Sequence, residues 1–443
     1  MPESSDGHRR PRPRHVVPSW FVGQGHCING GQHWFSRVLF KCSDAFEDGR
    51  HEREVFDRAN WSNSCAREHL DLSSRTGFRR QTCKISVFSS GIYSVNYRLN
   101  RDLFVRTLTE LTPTEVAFWD ERISCEPASR RAFMSRAFCS ACQDAGMKVI
   151  ALVAYALGKP VLLLPLQRKA GVAGSLGVFE PVGGVMADYF GVLAESGTMA
   201  NVADLLTASR CVGAVLYTHL DETQAQYGLR IENTRTGLRT RIPPDMPYWD
   251  FLRKSDRKLV GDTDRRQRKL EQDLGANLQF QWTSETPSSD LEWLISNKRK
   301  QYSTTGRESA PLFDSQNVKL LEALLRSNDS RCAGILSVLR CADRIVAAHL
   351  GLRCHDVLHV WFPVYDAEFA QYSPGRLLFK HMFCAAAENG IALFDRGEGD
   401  TQAKRDFANE THQFGSGVWR AGTIRGTVAR AAISVGWRLA SVR

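Results

Sequence analysis

The sequence predicts an α/β (α+β) protein with mixed central sheets flanked by helices. Two observations carry this expectation. Short apolar runs bounded by turn residues alternate with helical patterns from about residue 100 onward. The order helix, helix, hairpin, helix, strand then occurs twice, which points to two related units in tandem.

The elements follow in chain order. Residues 1–95 are rich in Arg, His, Ser, Gly and Cys without sustained periodicity, and are expected to be a poorly ordered or irregular extension. Their basic start has no apolar run behind it, so a secretory signal is not expected. In T-P-T-E-V-A-F-W, Thr112, Pro113 and Glu115 mark a helix start. A second helix is expected from Ala132 to Gly146. Residues 149–156 and 161–166 read as buried strands around a turn at Gly158, Lys159 and Pro160, since those residues interrupt what would otherwise approach the ~18 apolar residues of a membrane span. A Gly-rich stretch at 180–190, a helix at 201–210 and strands at 214–219 and 227–232 complete a first unit, 96–240.

Residues 241–275 are expected to be a linker and a basic helix. Within them, 253–270 hold eight Lys/Arg against three Asp, a net +5 of the chain's +10. Such a stretch is a solvated helix face or an attractor of anions. It lacks interleaved aromatics, so sequence-specific nucleic-acid binding is not expected. The second unit, 276–443, has helices at 288–302 and 315–327 and strands at 334–340, 345–353 and 357–363. A helix opened by Ser373-Pro374-Gly375 comes next, then a strand at 391–394 ending at Asp395.

That helix start is the first candidate site. Pro374 suits the first helical position and Ser373 an N-cap, while Gly375 removes the side chain that would keep an anion from the amides. Pro363 cannot donate to a ladder, so its strand is expected to part from a neighbour nearby, leaving a cleft for a long narrow ligand. His359 and Trp361 share a strand face and read as packed, with Trp361 also suited to the rim against a sugar ring. Among the twelve cysteines, Cys139 and Cys142 form a close pair without a second metal-ligand pair beside it; no metal is expected, and reduced core thiols are. No P-loop or Rossmann fingerprint is present.

Taken together, Y-D (365–366), S-P-G (373–375), F-D-R-G-E-G (394–399) and K-R-D-F (404–407), with the upstream P-V-G (181–183) and D-Y (188–189) and a Q-Y (301–302), resemble the acetyltransferases linked to cellulose and exopolysaccharide biosynthesis (the CelD/BcsL type). These are double-domain members of the GNAT superfamily with FemAB-like architecture. The resemblance runs from about Leu103 to Trp437 and implies two tandem GNAT-like domains, the second carrying the acyl-donor site. It implies that acyl-CoA (acetyl-CoA), as co-substrate, is held by Ser373, Gly375 and Arg376. Lys404 would assist the reacting carbonyl, and Asp188 and Tyr189 would line the acceptor cleft.

From the residues themselves, Asp395 is a base or orienting group, or else an Asx turn or an ion pair with Lys404. Lys404 stabilises an oxyanion or is a surface lysine. Tyr302, Tyr365, Asp366, Arg396 and Glu398 are placed on the acceptor side. The expected partners are acyl-CoA and a glycan or sugar-precursor acceptor, with peripheral association to a polysaccharide synthesis complex, and the expected location is the cytoplasm. Two rivals remain open here: a FemAB-like peptidyltransferase using aminoacyl-tRNA, and a catalytically degenerate GNAT scaffold.

Overall fold

The computed structural model describes residues 86–87, 93–94, 103–126, 129–198, 200–283, 288–306 and 310–440. Arg79–Arg443 group into one unit, to which all of these belong. The expectation for residues 1–95 falls, except for β1 (Ser86–Val87) and its antiparallel partner β2 (Tyr93–Ser94), outside the described residues.

Thirteen strands form one mixed sheet. The first half contributes β3 (Leu103–Arg106), α1 (Pro113–Cys125), α2 (Arg136–Asp144), β4 (Lys148–Ala156), β5 (Lys159–Arg168), α3 (Gly171–Ser175), β6 (Val178–Glu180), β7 (Leu193–Ala194), α4 (Val202–Ala208), β8 (Ala214–Asp221) and β9 (Asn233–Arg241). Then come α5 (Tyr248–Ser255) and α6 (Arg257–Leu274). The second half contributes β10 (Leu278–Thr283), α7 (Ser288–Thr304), α8 (Ser315–Leu325), β11 (Ala333–Cys341), β12 (Arg344–Cys354) and β13 (Val357–Tyr365). It closes with α9 (Pro374–Cys384), β14 (Leu393–Glu398), α10 (Gln402–Arg405), β15 (Glu410–Arg420) and α11 (Ile424–Ala440).

Local chemistry accounts for many boundaries. At α1, Thr112 Oγ1 accepts from the Glu115 amide (3.2 Å) and Glu115 accepts from the Thr112 amide (2.7 Å), a full capping box. The second helix starts later than expected: Ser135 caps α2 through the Phe138 amide (3.1 Å), and Ala132–Met134 form a 3-10 turn whose Met134 carbonyl accepts from the buried Trp119 Nε1 (2.8 Å). Leu157 (φ 50) and Gly158 (φ 77) make the tight turn between β4 and β5.

The strand order explains the repeat. It reads β10-β11-β12-β13-β14-β9-β15-β8-β6-β5-β4-β3, with the thirteenth strand, β7, off this path against β5, so each half lays down the same antiparallel run followed by one parallel pair, β13 with β14 and β6 with β8. The two halves then exchange their last strands. β9, from the first half, pairs with β14, and β15, from the second, pairs with β8. Because β9 and β15 also pair with each other, the two sheets are continuous. One apolar core under α1, α2, α7 and α8 likewise joins the halves, and Gln316 of α8 donates to the Ala145 carbonyl at the end of α2 (3.0 Å).

The exchange corrects several expectations. Residues 227–232 are not a strand: Glu222–Tyr227 is a 3-10 turn closed by Gly228, and the strand is β9, at the end of the expected first unit. Residues 241–275 hold the end of β9 and then two helices, α5 and the basic helix α6. β14 does not end at Asp395 but continues to Glu398, and β15 with α11 follows it. β9 and β15 are polar or glycine-bearing, with weak strand propensity, and they form because each is clamped between two strands of the other half.

Candidate active site

β13 and β14 are parallel and paired only over Val357↔Leu393, Leu358↔Phe394 and His359↔Asp395. Beyond that point β13 stays with β12, while β14 is turned toward β9 by an irregularity between Asp395 and Glu398, where Gly397 has φ 62. The parting therefore begins at Val360, before Pro363, which still faces His349 of β12. Between the parted strands lies a cleft of about 550 Å³. Val360, Trp361, Pro363, Val364 and Tyr365 of β13 and Gly375, Leu378 and Phe379 of α9 form one side. Asp188, His219, Lys298, Gln301, Arg396, Gly397, Glu398 and Lys404 are also on its walls.

The corresponding gap in the first half is filled. β6 and β8 pair over Val178↔Ala214 and Phe179↔Val215, after which Phe190 bridges to Leu220 and stacks on Tyr217 (5.8 Å). Phe190, Val192 and Leu193 are buried there.

At the start of α9 the anion seat is smaller than expected. Ser373 adopts a left-handed backbone (φ 54, ψ 55) and makes no side-chain cap, because it reverses the chain out of the 3-10 turn Ala367–Tyr372. Its carbonyl takes the amides of Arg376 (2.9 Å) and Leu377 (3.3 Å), and Pro374 has no N–H, which leaves the Gly375 amide to a ligand. A Cβ added at Gly375 would meet nothing within 4 Å. Arg376 is turned to Asp262 (3.1 Å) and Asp406 (3.4 Å), not to the cleft. Of the three residues expected to hold the donor, only Gly375 lines the cleft.

Asp395 lies behind the cleft, fully buried. It accepts from Tyr189 Oη, from Arg239 Nε (3.3 Å) and from the Gly397 amide (2.9 Å), with His359 Nδ1 3.8 Å away. Burial alone would raise its pKa, but His359, Arg239, Arg131 and His412 outweigh it and hold the carboxyl well below the usual range. Tyr189 shares this interior network: Arg239 Nη2 donates to its oxygen (3.1 Å), and His412 Nε2 is 3.1 Å away. Burial first, then Asp395, pushes its phenol far up. Asp395 and Tyr189 are thus interior residues joining β14, β9 and β15.

Lys404 is half-buried on the cleft wall and donates to the carbonyls of Arg396 (2.6 Å) and Glu398. Burial and then Arg396 lower its pKa. Arg396 is buried against Phe379 (4.4 Å) and donates to the carbonyls of Lys404 (2.8 Å) and Ala403 (3.1 Å), tying the strand to α10. Burial brings its pKa down to about 10. Asp188 accepts from His359 Nε2 (2.8 Å), and Glu398 lies 2.9 Å from both His219 Nε2 and Arg235 Nη1.

The remaining expected residues divide. Tyr365 and Trp361 line the cleft, and Trp361 also packs edge-on against Phe133 (5.3 Å). Asp366 instead caps the 3-10 turn through the Glu368 amide (3.0 Å) and pairs with Arg344 (3.7 Å). Tyr302 packs on the core with Lys298 over its ring (5.3 Å), whereas its helix sends Lys298 and Gln301 to the cleft.

The basic stretch is internally balanced in part. Asp262 takes Arg265 (2.5 Å) and Arg266 (2.8 Å), and Asp264 takes Lys380 of α9 (2.7 Å). Cys139 and Cys142 are buried and free, with burial raising both thiols, and no metal-holding group of side chains occurs among the described residues.

A family model matches part of the chain. Residues 257–405 match the family model described as an acetyltransferase (GNAT) domain. The match runs from α6 through α10 and so contains the parted strands, α9 and Lys404. A search of curated proteins finds no match. Among solved structures, FemX is similar over 71% of this chain and 96% of its own, at 9% identity and a TM-score of 0.49. A tandem GNAT protein from the clavulanic acid biosynthesis pathway covers 73% of this chain and 99% of its own, at 12% identity and a TM-score of 0.41. The C-terminal domain of a putative lysylphosphatidylglycerol synthetase from Agrobacterium fabrum covers 72% and 95%, at 12% identity and a TM-score of 0.42. No described helix is long and apolar enough to cross a membrane.

His219, His359, Lys298, Gln301 and Arg239 were not legible as site residues. Their partners come from strands far away in sequence. The only local signal was His359 sharing a face with Trp361.

Proposed function

We propose that the protein transfers an acyl group, acetyl in the first instance, from acyl-CoA to a hydroxyl or amine of a sugar precursor or polysaccharide. The reading is carried by the cleft between the parted strands, open at the Gly375 end of α9 and lying within the matched acetyltransferase domain. The cleft of about 550 Å³ has room for a pantetheine arm, and the Gly375 amide, with no side chain above it, suits a phosphate oxygen. Trp361 and Tyr365 offer ring faces to a sugar at the rim. The likeness of the motifs to the cellulose and exopolysaccharide acetyltransferases supports the choice of acceptor class.

In this reading Lys404 supplies positive charge to the thioester carbonyl as it becomes an oxyanion, and Arg396 holds the segment that carries it. Asp188 and Glu398 face the acceptor, while Asp395 and Tyr189 fix the geometry of β14 from behind. Direct attack needs the two reactants held in alignment, which the walls of the cleft would supply.

Titration calorimetry with acetyl-CoA tests the donor. Measurable binding is expected, and absence of both binding heat and thermal shift removes the proposal. Lys404→Ala is expected to slow thiol release from acetyl-CoA about a hundredfold, with glucosamine as probe acceptor, at unchanged acetyl-CoA affinity. Undiminished turnover takes Lys404 out of the chemistry.

A further inference from the structure

Two sides of α11 (Ile424–Ala440) are apolar, and one of them faces out. Gly426, Ala429 and Ile433 are buried, the last two in a small cluster with Val178 of β6 and Ala214 of β8. On the other side, at the spacing i, i+4, i+7, stand Ile424, Val428 and Ala431, all exposed, Ile424 by 86% and Val428 by 39%. The same spacing continues in the sequence at Val435 and Leu439. A helix face turned to water ordinarily carries polar residues, and Ile and Val are weaker helix formers than Ala or Leu, so neither solvation nor helix propensity accounts for them. α3 packs beside α11 through Ala173 and exposes a further aliphatic residue, Val172, by 75%.

Arginines surround this face. By helical geometry Arg425 and Arg430 fall on its two flanks. Arg425 Cγ lies 3.0 Å from where a Cβ of Gly213 would stand, and the Gly213 carbonyl accepts from the Ala421 amide (2.9 Å), which brings Arg210 and Arg420 near the start of the helix. All four arginines are exposed, and among the described residues none of them is in an ion pair; in α6, by contrast, Asp262 and Asp264 take up part of the charge. Residues 411–443 hold five Arg and no Asp or Glu. Residues 1–85 hold fourteen Lys/Arg against ten Asp/Glu, so that part of the chain brings no net negative charge to the face.

We propose that this face of α11 docks the protein on an anionic lipid bilayer, with Ile424, Val428 and Val172 entering the interface and Arg210, Arg420, Arg425 and Arg430 meeting the headgroups. Aliphatic residues set among unpaired arginines match a surface that offers negative charge above hydrocarbon. They give no ring for a base to stack on, which favours lipid over nucleic acid. The inference stands apart from the acyl-CoA reading, since α11 lies outside residues 257–405 and does not line the cleft.

Co-sedimentation of the full chain with vesicles tests it. Vesicles of phosphatidylglycerol and phosphatidylcholine are expected to carry the protein down at low salt, and vesicles of phosphatidylcholine alone to leave it in solution. Salt of about 0.5 M is expected to weaken the binding. Arg420→Gln with Arg430→Gln is expected to lose about thirtyfold in affinity, and Ile424→Ser with Val428→Ser about tenfold. Both pairs should keep the wild-type melting temperature, because all four side chains are exposed. Arg268→Gln with Lys269→Gln on α6 removes the same charge elsewhere and is expected to stay within about twofold of the wild type. Failure to bind the anionic vesicles overturns the proposal, as does an equal loss in the α6 pair or wild-type binding by the serine pair. Retention of polyuridylate in place of vesicles, lost with the same arginines, assigns the face to nucleic acid and overturns it too.

Discussion

Gly375→Trp is expected to abolish measurable acetyl-CoA binding while leaving the melting temperature unchanged or slightly raised. The position lies in the first turn of α9, faces the cleft, and has no atom within 4 Å of where a Cβ would stand. A Cβ there displaces no native contact, and loss of a glycine restricts the unfolded chain, a gain of about 0.4–1 kcal/mol where the backbone is compatible. The indole would occupy the narrow space between α9 and β13 and cover the Gly375 amide. Arg376, engaged with Asp262 and Asp406, does not turn to the cleft to compensate. Calorimetry and a thermal melt on the same sample separate the two effects. A folded variant with wild-type affinity would show that the donor does not enter beside α9.

Asp395→Ala is expected to lower folding stability by about 3–5 kcal/mol at neutral pH, the usual cost of leaving buried charges without their partner. Arg239 and Tyr189 lose their shared acceptor, and the Gly397 amide that shapes the turn of β14 loses its bond. Asp221 remains as the acid facing Arg239 and Arg131. The carboxyl's folded pKa lies below its unfolded value, so its contribution is complete above about 3.9 and fades as pH falls toward the lower folded value. The wild type also weakens earlier on acidification. Burial depresses His412 to about 4, so its contribution stands above about 6.5 and drains as pH falls from there. Urea midpoints for the two proteins across pH 7 to 4 read the loss at neutral pH and the His412 drain. Equal midpoints at pH 7 would mean that the network adds nothing.

Much of both halves was legible because the signals are local. The capping residues of α1, the hairpin at Leu157–Gly158 and the Pro374-Gly375 helix start all depend on neighbours within a few positions. The doubled order of elements was readable for the same reason. Ser373 misled because a good capping residue was instead used to reverse the chain, and Asp366 because a short carboxylate serves a turn as readily as a substrate. β9 and β15 were illegible because their polar, glycine-bearing sequences owe their strand state to partners across the repeat.

The sequence by itself determined the α/β character, the two related halves and the bare glycine at the start of α9, since periodicity, capping and glycine chemistry act over short stretches of chain. Only the tertiary structure decided where the strands part, that the first half's gap is filled by Phe190, and that Asp395 lies behind the cleft rather than in it. It also decided that His219 meets Glu398, since that contact requires the halves to trade their final strands. Such pairings join residues far apart in the chain and depend on burial and register that no local pattern encodes.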